Sequence, residues 1–202
     1  MKCAVISGGT PMKININRND YYIICADKGY DYAVENNISP DIILGDMDSV
    51  SRKDKKTEAL IFPAEKDDTD TAIAVKTALN KGYKDIEIFS GIGDRIDHSL
   101  GNIQLLKLIK RNGASGVIYS NNCRIRLIEN EELVLINDKK YNYFSVLALD
   151  NECEVSILGA KYPLSYKIIN NFFPLGISNE FLDNNVKIIS HNGCILVFEV
   201  IE

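Results

Sequence analysis

The sequence predicts an α/β N-terminal domain, with a mainly parallel sheet and helices on both faces, followed by an all-β sandwich domain. Two observations carry this expectation. Over the first 120 or so residues, short apolar, β-branched runs alternate with longer stretches of helical pattern, as βαβ units require. From Cys123 onward, strand-like runs recur at spacings of roughly 8 to 12 residues without helical stretches between them, the pattern of an antiparallel sandwich or barrel. The expected domains are therefore 1–122 and 123–202.

In chain order, the first domain offers candidate strands at 3–7, 21–26, 41–44, 59–62, 86–90 and 116–120. Helical patterns lie at 28–37, 51–59, 69–82 and 97–113. Two of these carry stop signals, Lys81-Gly82 and Arg111-Asn112-Gly113, with a basic last turn and glycine just beyond. The second domain offers strands at 124–129, 132–137, 143–149, 153–158, 187–190 and 194–200, separated by turn signals such as "NDKK" and "HNG".

Composition narrows the function classes. Apolar residues at 46% and charged residues at 25% are those of an ordinary globular protein. A net charge of -5 supplies no basic stripe to neutralise phosphates, so nucleic acid is not expected as a partner. Five cysteines, at 3, 25, 123, 153 and 194, form no CxxC pair and read as buried hydrophobes in a reducing compartment. The N-terminus turns to glycine too early for a signal peptide, and no apolar run approaches the ~20 residues of a membrane helix. A cytoplasmic protein without a membrane partner is the expectation.

In an open parallel sheet, ligands bind in the crevice at the carboxyl ends of the strands. Here four successive strand ends deliver acidic or polar clusters: Asp27, then Asp46 and Asp48 in "GDMDS", then "EKDDTD" (65–70), then "GIGDRIDH" (91–98). Carboxylates gathered at one edge repel one another unless a cation sits among them. Oxygen ligands with open water positions suit Mg²⁺, which shares its octahedron with substrate phosphates. Asp46 and Asp48 alternate onto one side of an extended segment and can hold one ion jointly or two neighbouring ions. An Asx-turn or a cap on the following helix, with Ser49 or Ser51 as the capping residue, is the plainer alternative. Asp68 or Thr69 is expected as N-cap of the next helix, with Asp70 in its first turn, where the dipole alone favours a carboxylate. The functional reading gives Asp70 to the metal and turns Lys66 toward a phosphate. Gly91 and Gly93 precede a helix that begins near Asp97, so backbone N–H groups there are placed to cradle phosphate and Arg95 to clamp it. His98 and Asn102 share one face of that helix.

Together, "GDMDS", "KDDTD", "GDRIDH" with Asn102, and "GISN" in the C-terminal part resemble, in order and spacing, the thiamin pyrophosphokinase family. The resemblance covers nearly the whole chain. It implies transfer of diphosphate from ATP to the hydroxyl of thiamine, giving thiamine diphosphate and AMP, with Mg²⁺ and a homodimer that holds the vitamin between subunits. It implies that Asp46, Asp48 and Asp70 are metal ligands and catalytic residues, with Asp27 alongside. Lys66, Arg95, His98 and Asn102 match positions around the nucleotide phosphates, and Ser178 and Asn179 match the thiamine-contacting segment. On this reading 1–122 is the ATP- and Mg-binding catalytic domain and 123–202 the thiamine-binding and dimerisation domain. The family commonly carries a tryptophan upstream of that segment; this chain has none, and Tyr162 stands in its place, able to stack with a smaller face. Either Asp70 or Asp48 is placed to accept the hydroxyl proton. Two other readings of the Asp-x-Asp motif are a metal-dependent glycosyl or nucleotidyl transferase and a non-catalytic nucleotide sensor.

Overall fold

The computed structural model describes residues 1–45, 58–61 and 68–202. The chain divides into two compact units, Met1–Asn121 and Asn122–Glu202.

The first unit runs β1 (Lys2–Ile6), β2 (Tyr21–Ala26), α1 (Gly29–Glu35), β3 (Ile42–Gly45), β4 (Glu58–Ile61), α2 (Asp70–Asn80), β5 (Asp85–Phe89), α3 (Ile96–Arg111) and β6 (Ser115–Tyr119). Its strands lie in the order β6-β5-β1-β2-β3-β4, and each of these pairs is parallel. β1, β2, β3 and β5 are buried on both faces, which explains why they read as continuous apolar runs and not as alternating ones. Ala4, Ile6, Ile23, Cys25 and Ile43 pack on one face with Tyr30 and Ala33 of α1. Strand side chains alternate, so Cys3, Val5 and Ile24 point to the other face. There α2 lies against β1, β2 and β3, and α3 against β6, where Gly116 leaves room for Leu106 and Ile109. The candidate helix at 51–59 lies outside the described residues except at its end, where Glu58 and Ala59 open β4.

The second unit is all β: β7 (Cys123–Glu129), β8 (Glu132–Ile136), β9 (Tyr143–Ala148), β10 (Glu152–Leu158), β11 (Leu164–Asn170), β12 (Gly176–Glu180), β13 (Asn185–Asn192) and β14 (Cys194–Val200). Every described pair here is antiparallel, in the orders β12-β9-β14-β7 and β11-β10-β13-β8. The two sets enclose one core of alternating residues, including Phe144, Val146, Val155, Ile157, Ile188 and Val197. Over the pairs described, the pairing is therefore mixed, parallel within the first unit and antiparallel within the second.

Two strands, β11 and β12, carry no signal in the sequence. β11 is largely exposed, so its residues do not alternate between apolar and polar, and β12 is interrupted at Ser178, whose φ is +59°. The register of β12 on β9 shifts between Gly176 and Asn179 at this point. A turn-like sequence thus sits inside a strand as a bulge.

Candidate active site

In the first unit the chain runs from β1 through β2 and β3 to β4 on one side, then crosses back from β4 to β5 and β6 on the other side of β1. The crevice of such a sheet opens outside the carboxyl ends of the two strands where the order reverses, here β1 and β5. A cleft of about 570 Å³ lies at this point. It is lined by the loop after β1 (Ser7 to Pro11), by Asp27 and Lys28 after β2, by Thr69, Asp70 and Thr71 at the start of α2, and by the loop and first turns after β5 (Gly91 to Asn102).

Backbone contacts hold the first and last of these loops together. The Gly9 N–H donates to the Ser90 carbonyl and the Thr10 N–H to that of Ile92, both at 2.9 Å. A Cβ on Gly9 would stand 2.3 Å from the Ser90 oxygen, and one on Gly93 3.0 Å from the Gly9 Cα. The Tyr32 hydroxyl donates to the Gly9 carbonyl at 2.9 Å. Sequence reading missed the Ser7-Gly8-Gly9-Thr10 loop; the available signal was a glycine pair directly after a strand.

Asp27 closes β2 in the left-handed region, φ +50°, which aspartate tolerates better than most residues. Its N–H donates to the Leu44 carbonyl and its own carbonyl accepts from the Tyr30 N–H, so the backbone is fixed on both sides. Oδ1 of Asp27 is buried and makes no hydrogen bond within the described residues. A carboxylate oxygen kept dry and without a hydrogen-bond donor suits a hard cation. Asp70 opens α2. Thr69 is the N-cap, its hydroxyl accepting from the Ala72 N–H at 3.2 Å, while Asp68 pairs with Lys76 on the surface. The buried Thr71 and Ser7 hydroxyls bond at 2.7 Å and tie this helix start to β1.

After β5 the arrangement differs from a phosphate cradle. The Gly93 N–H already donates to the Ser99 hydroxyl at 3.0 Å, and that hydroxyl lies within hydrogen-bonding distance of the Gly93 and Arg95 carbonyls. The glycines serve close packing: a Cβ on Gly91 would meet Ile118 at 2.9 Å. The Asn102 amide is buried and donates to the Gly91 carbonyl at 2.7 Å, so it shapes the loop from below. His98 is exposed on the same helix, at the rim of the cleft. Arg95 forms a two-point pair with Asp97, at 3.0 and 2.6 Å, instead of standing open to a ligand. The guanidinium holds the Asp97 carboxyl well below the usual carboxylate range. The pair's contribution is thus present above that range and lost as pH falls through the depressed value. Both side chains are exposed, so that contribution is small.

The structure therefore brings Asp27, Asp70, Arg95, His98 and Asn102 to one cleft. Asp46, Asp48 and Lys66 lie outside the described residues, as do Ser49 and Ser51. Among the described residues no three acidic, histidine or cysteine side chains form a metal-binding group.

In the second unit, Tyr162, Ser178 and Asn179 come together around β12. Tyr162 is exposed, with the Lys161 ammonium 5.6 Å from its ring centre. The buried Asn179 side chain bonds to the Tyr162 backbone at both polar atoms. The Ser178 N–H donates to the Ser145 hydroxyl at 3.1 Å.

Comparison with known proteins agrees with this two-part arrangement. Residues 14–118 match the family model described as thiamin pyrophosphokinase, catalytic domain, and residues 124–195 match thiamin pyrophosphokinase, vitamin B1 binding domain. A thiamine pyrophosphokinase from Bacillus subtilis (strain 168) is 36% identical over 167 residues, which span 79% of this chain and 78% of the relative. The crystal structure of thiamine pyrophosphokinase from Bacillus subtilis superposes over 100% of both chains with a TM-score of 0.91 at 24% identity. A thiamin pyrophosphokinase family protein from Enterococcus faecalis superposes over 100% of both chains with a TM-score of 0.88 at 25% identity. On these matches, which cover both units, the chain belongs to the thiamin pyrophosphokinase family.

Proposed function

We propose that this enzyme transfers the terminal diphosphate of ATP to the hydroxyl of thiamine in the cleft of its first unit, releasing AMP. The observation that carries this reading is the buried Asp27 oxygen, without a hydrogen-bond partner among the described residues, in the cleft that Asp70 also lines at the sheet's switch point, a setting suited to a metal-bound polyphosphate. The donor chemistry fits Mg²⁺: Asp27 and Asp70 would hold it, together with Asp46 and Asp48, which lie outside the described residues. When bound, the ion neutralises polyphosphate charge.

The chain's own residues do the rest. The thiamine hydroxyl oxygen attacks the β-phosphorus in line, the bond from that phosphorus to the α,β-bridging oxygen breaks, and AMP leaves with the bridging oxygen. The hydroxyl proton passes to a carboxylate, with Asp70 and Asp48 the two candidates. Arg95, once released from Asp97, and Lys66 supply positive charge to the phosphates, while His98 stands at the rim. Asn102 and Ser99 hold the loop after β5, and Tyr32 the loop after β1, so that the acceptor and ATP meet in a fixed geometry. The second unit supplies the vitamin side through Tyr162, on the segment that Ser178 and Asn179 shape.

A homodimer with the vitamin between subunits accompanies this reading. Its support is a run of exposed apolar side chains in the second unit, among them Tyr166, Phe172, Phe173, Ile177 and Leu182, which a second copy would cover. All five cysteines are free thiols, and burial pushes Cys3 up to about 12, which suits a reducing cytoplasm. No helix among the described residues is long and apolar enough to cross a membrane. The net charge of -5 supports small-molecule substrates over nucleic acid.

Chromatography of a reaction with Mg-ATP and thiamine tests the proposal. AMP and thiamine diphosphate in equal amounts are expected; ADP, or no conversion, contradicts it. A second test addresses the loop junction. Gly9→Ala forces a Cβ into two backbone carbonyls, 2.3 and 2.6 Å away, and the loops must part. A stability loss of about 2 kcal/mol and a fall in kcat/KM for ATP of about tenfold are expected from calorimetry and steady-state rates. Wild-type values in both would show that the junction does not shape the cleft.

A further inference from the structure

The buried amide of Asn179 makes three backbone hydrogen bonds. Its Oδ1 accepts from the Tyr162 N–H at 3.0 Å and from the Glu180 N–H at 2.9 Å, which occupies both lone pairs of that oxygen. Its Nδ2 donates to the Tyr162 carbonyl at 2.8 Å. The side chain is 5% exposed. The neighbouring chain contacts continue the same seam: the Lys161 N–H donates to the Glu180 carbonyl at 2.9 Å, and Ala160 forms an isolated bridge with Phe181. Asn179 thus provides, with a side chain, the two-point pairing that a strand neighbour would otherwise give Tyr162.

We infer that Asn179 is a positioning residue that acts through Tyr162, setting where the exposed ring of Tyr162 meets the vitamin, and is not itself a ligand contact. The inference rests on the proposed role of the second unit in binding thiamine. Only asparagine fits the requirement closely. Aspartate has the shape but no donor for the Tyr162 carbonyl, and would place a negative oxygen against it. Glutamine is one methylene too long for the same two contacts. The bulge at Ser178, with its positive φ and its N–H held by Ser145, is what turns Asn179 toward Tyr162 within a short strand.

A double-mutant cycle tests the inference, with the full-length protein, thiamine and Mg-ATP. Asn179→Ala is expected to raise the thiamine KM about tenfold, the effect of releasing the two hydrogen bonds that hold Tyr162, with KM for ATP changed less than about twofold. In a Tyr162→Ala background the same substitution is expected to add less than about twofold. Hydrogen exchange should show the Tyr162 amide losing protection in Asn179→Ala, which offers no acceptor, and keeping more of it in Asn179→Asp, which retains the acceptor oxygen, without general loss across the unit. Additive effects in the double variant would overturn the inference and make Asn179 a direct contact. A parallel fall in kcat and in both KM terms, together with melting temperature, would overturn it in favour of a purely structural role. An unchanged thiamine KM in Tyr162→Ala alone would remove Tyr162 from the site, and with it this inference, while AMP formation by the wild type would still support diphosphate transfer.

Discussion

Asp27→Asn is expected to lower kcat by at least about 100-fold while changing stability by less than about 1 kcal/mol. The reason is the state of one oxygen. Oδ1 of Asp27 is buried and accepts no hydrogen bond from the described residues, an arrangement that costs about 1–3 kcal/mol where nothing else relieves it. Ordinary cores remove such atoms, whereas sites that await a charged ligand keep them. Asparagine tolerates the left-handed φ of +50° and preserves the backbone bonds to Leu44 and Tyr30, so the substitution removes charge with little change of shape. Steady-state rates and a thermal melt on the same preparation give both numbers. A variant with near-normal turnover would show that Asp27 shapes the loop and does not serve the reaction.

Glu199→Ala is expected to cost about 3 kcal/mol, seen as a drop of roughly 12–24 °C in the melting of the second unit. Glu199 is fully buried in β14 and receives a two-point bond from Arg124, at 2.7 and 2.5 Å, as well as one from Arg126. The Arg124 guanidinium also lies 5.0 Å from the centre of the Tyr141 ring. Cross-strand register sets Glu199 opposite Arg124 on β7, on the face that also carries Ile195 and Val197 into the core. Removing the carboxylate leaves two guanidinium groups close together with their common partner gone. Each keeps about a fifth to a quarter of its side chain exposed, which puts the expected cost at the lower end of the range for broken buried pairs. Glu199→Gln should recover part of the loss, since its amide oxygen can still accept one of the bonds. A melt within about 1 °C of the wild type would show that the arginines find solvent at no cost.

Parts of this molecule were legible in the sequence because they follow from local rules. Fully buried strands read as unbroken apolar runs, and α2 and α3 announced themselves by helical periodicity and by their terminal residues. The acidic strand ends pointed to the carboxyl edge of the sheet, where Asp27 and Asp70 do line a cleft. What stayed hidden depends on partners distant in the chain. The loop after β1 belongs to the site because β5 is the neighbour of β1, a strand order that no local pattern reveals. Arg95 looked open to a phosphate, but it is paired with Asp97, two residues on. Gly91 and Gly93 suggested a phosphate cradle, and their lack of side chains instead allows two loops and a strand to approach. β12 escaped notice because "GISN" carries the residues of a turn, and its strand character comes only from pairing with β9.

On the proposed reaction, one enzyme-catalysed step moves a diphosphate intact from ATP to thiamine. Incubation with Mg²⁺, thiamine and ATP labelled at the β-phosphorus tests it most directly. The label is expected in thiamine diphosphate, at the phosphorus joined to the vitamin's oxygen, with one AMP released per product. Label retained in ADP, or unlabelled phosphorylated thiamine, would contradict it.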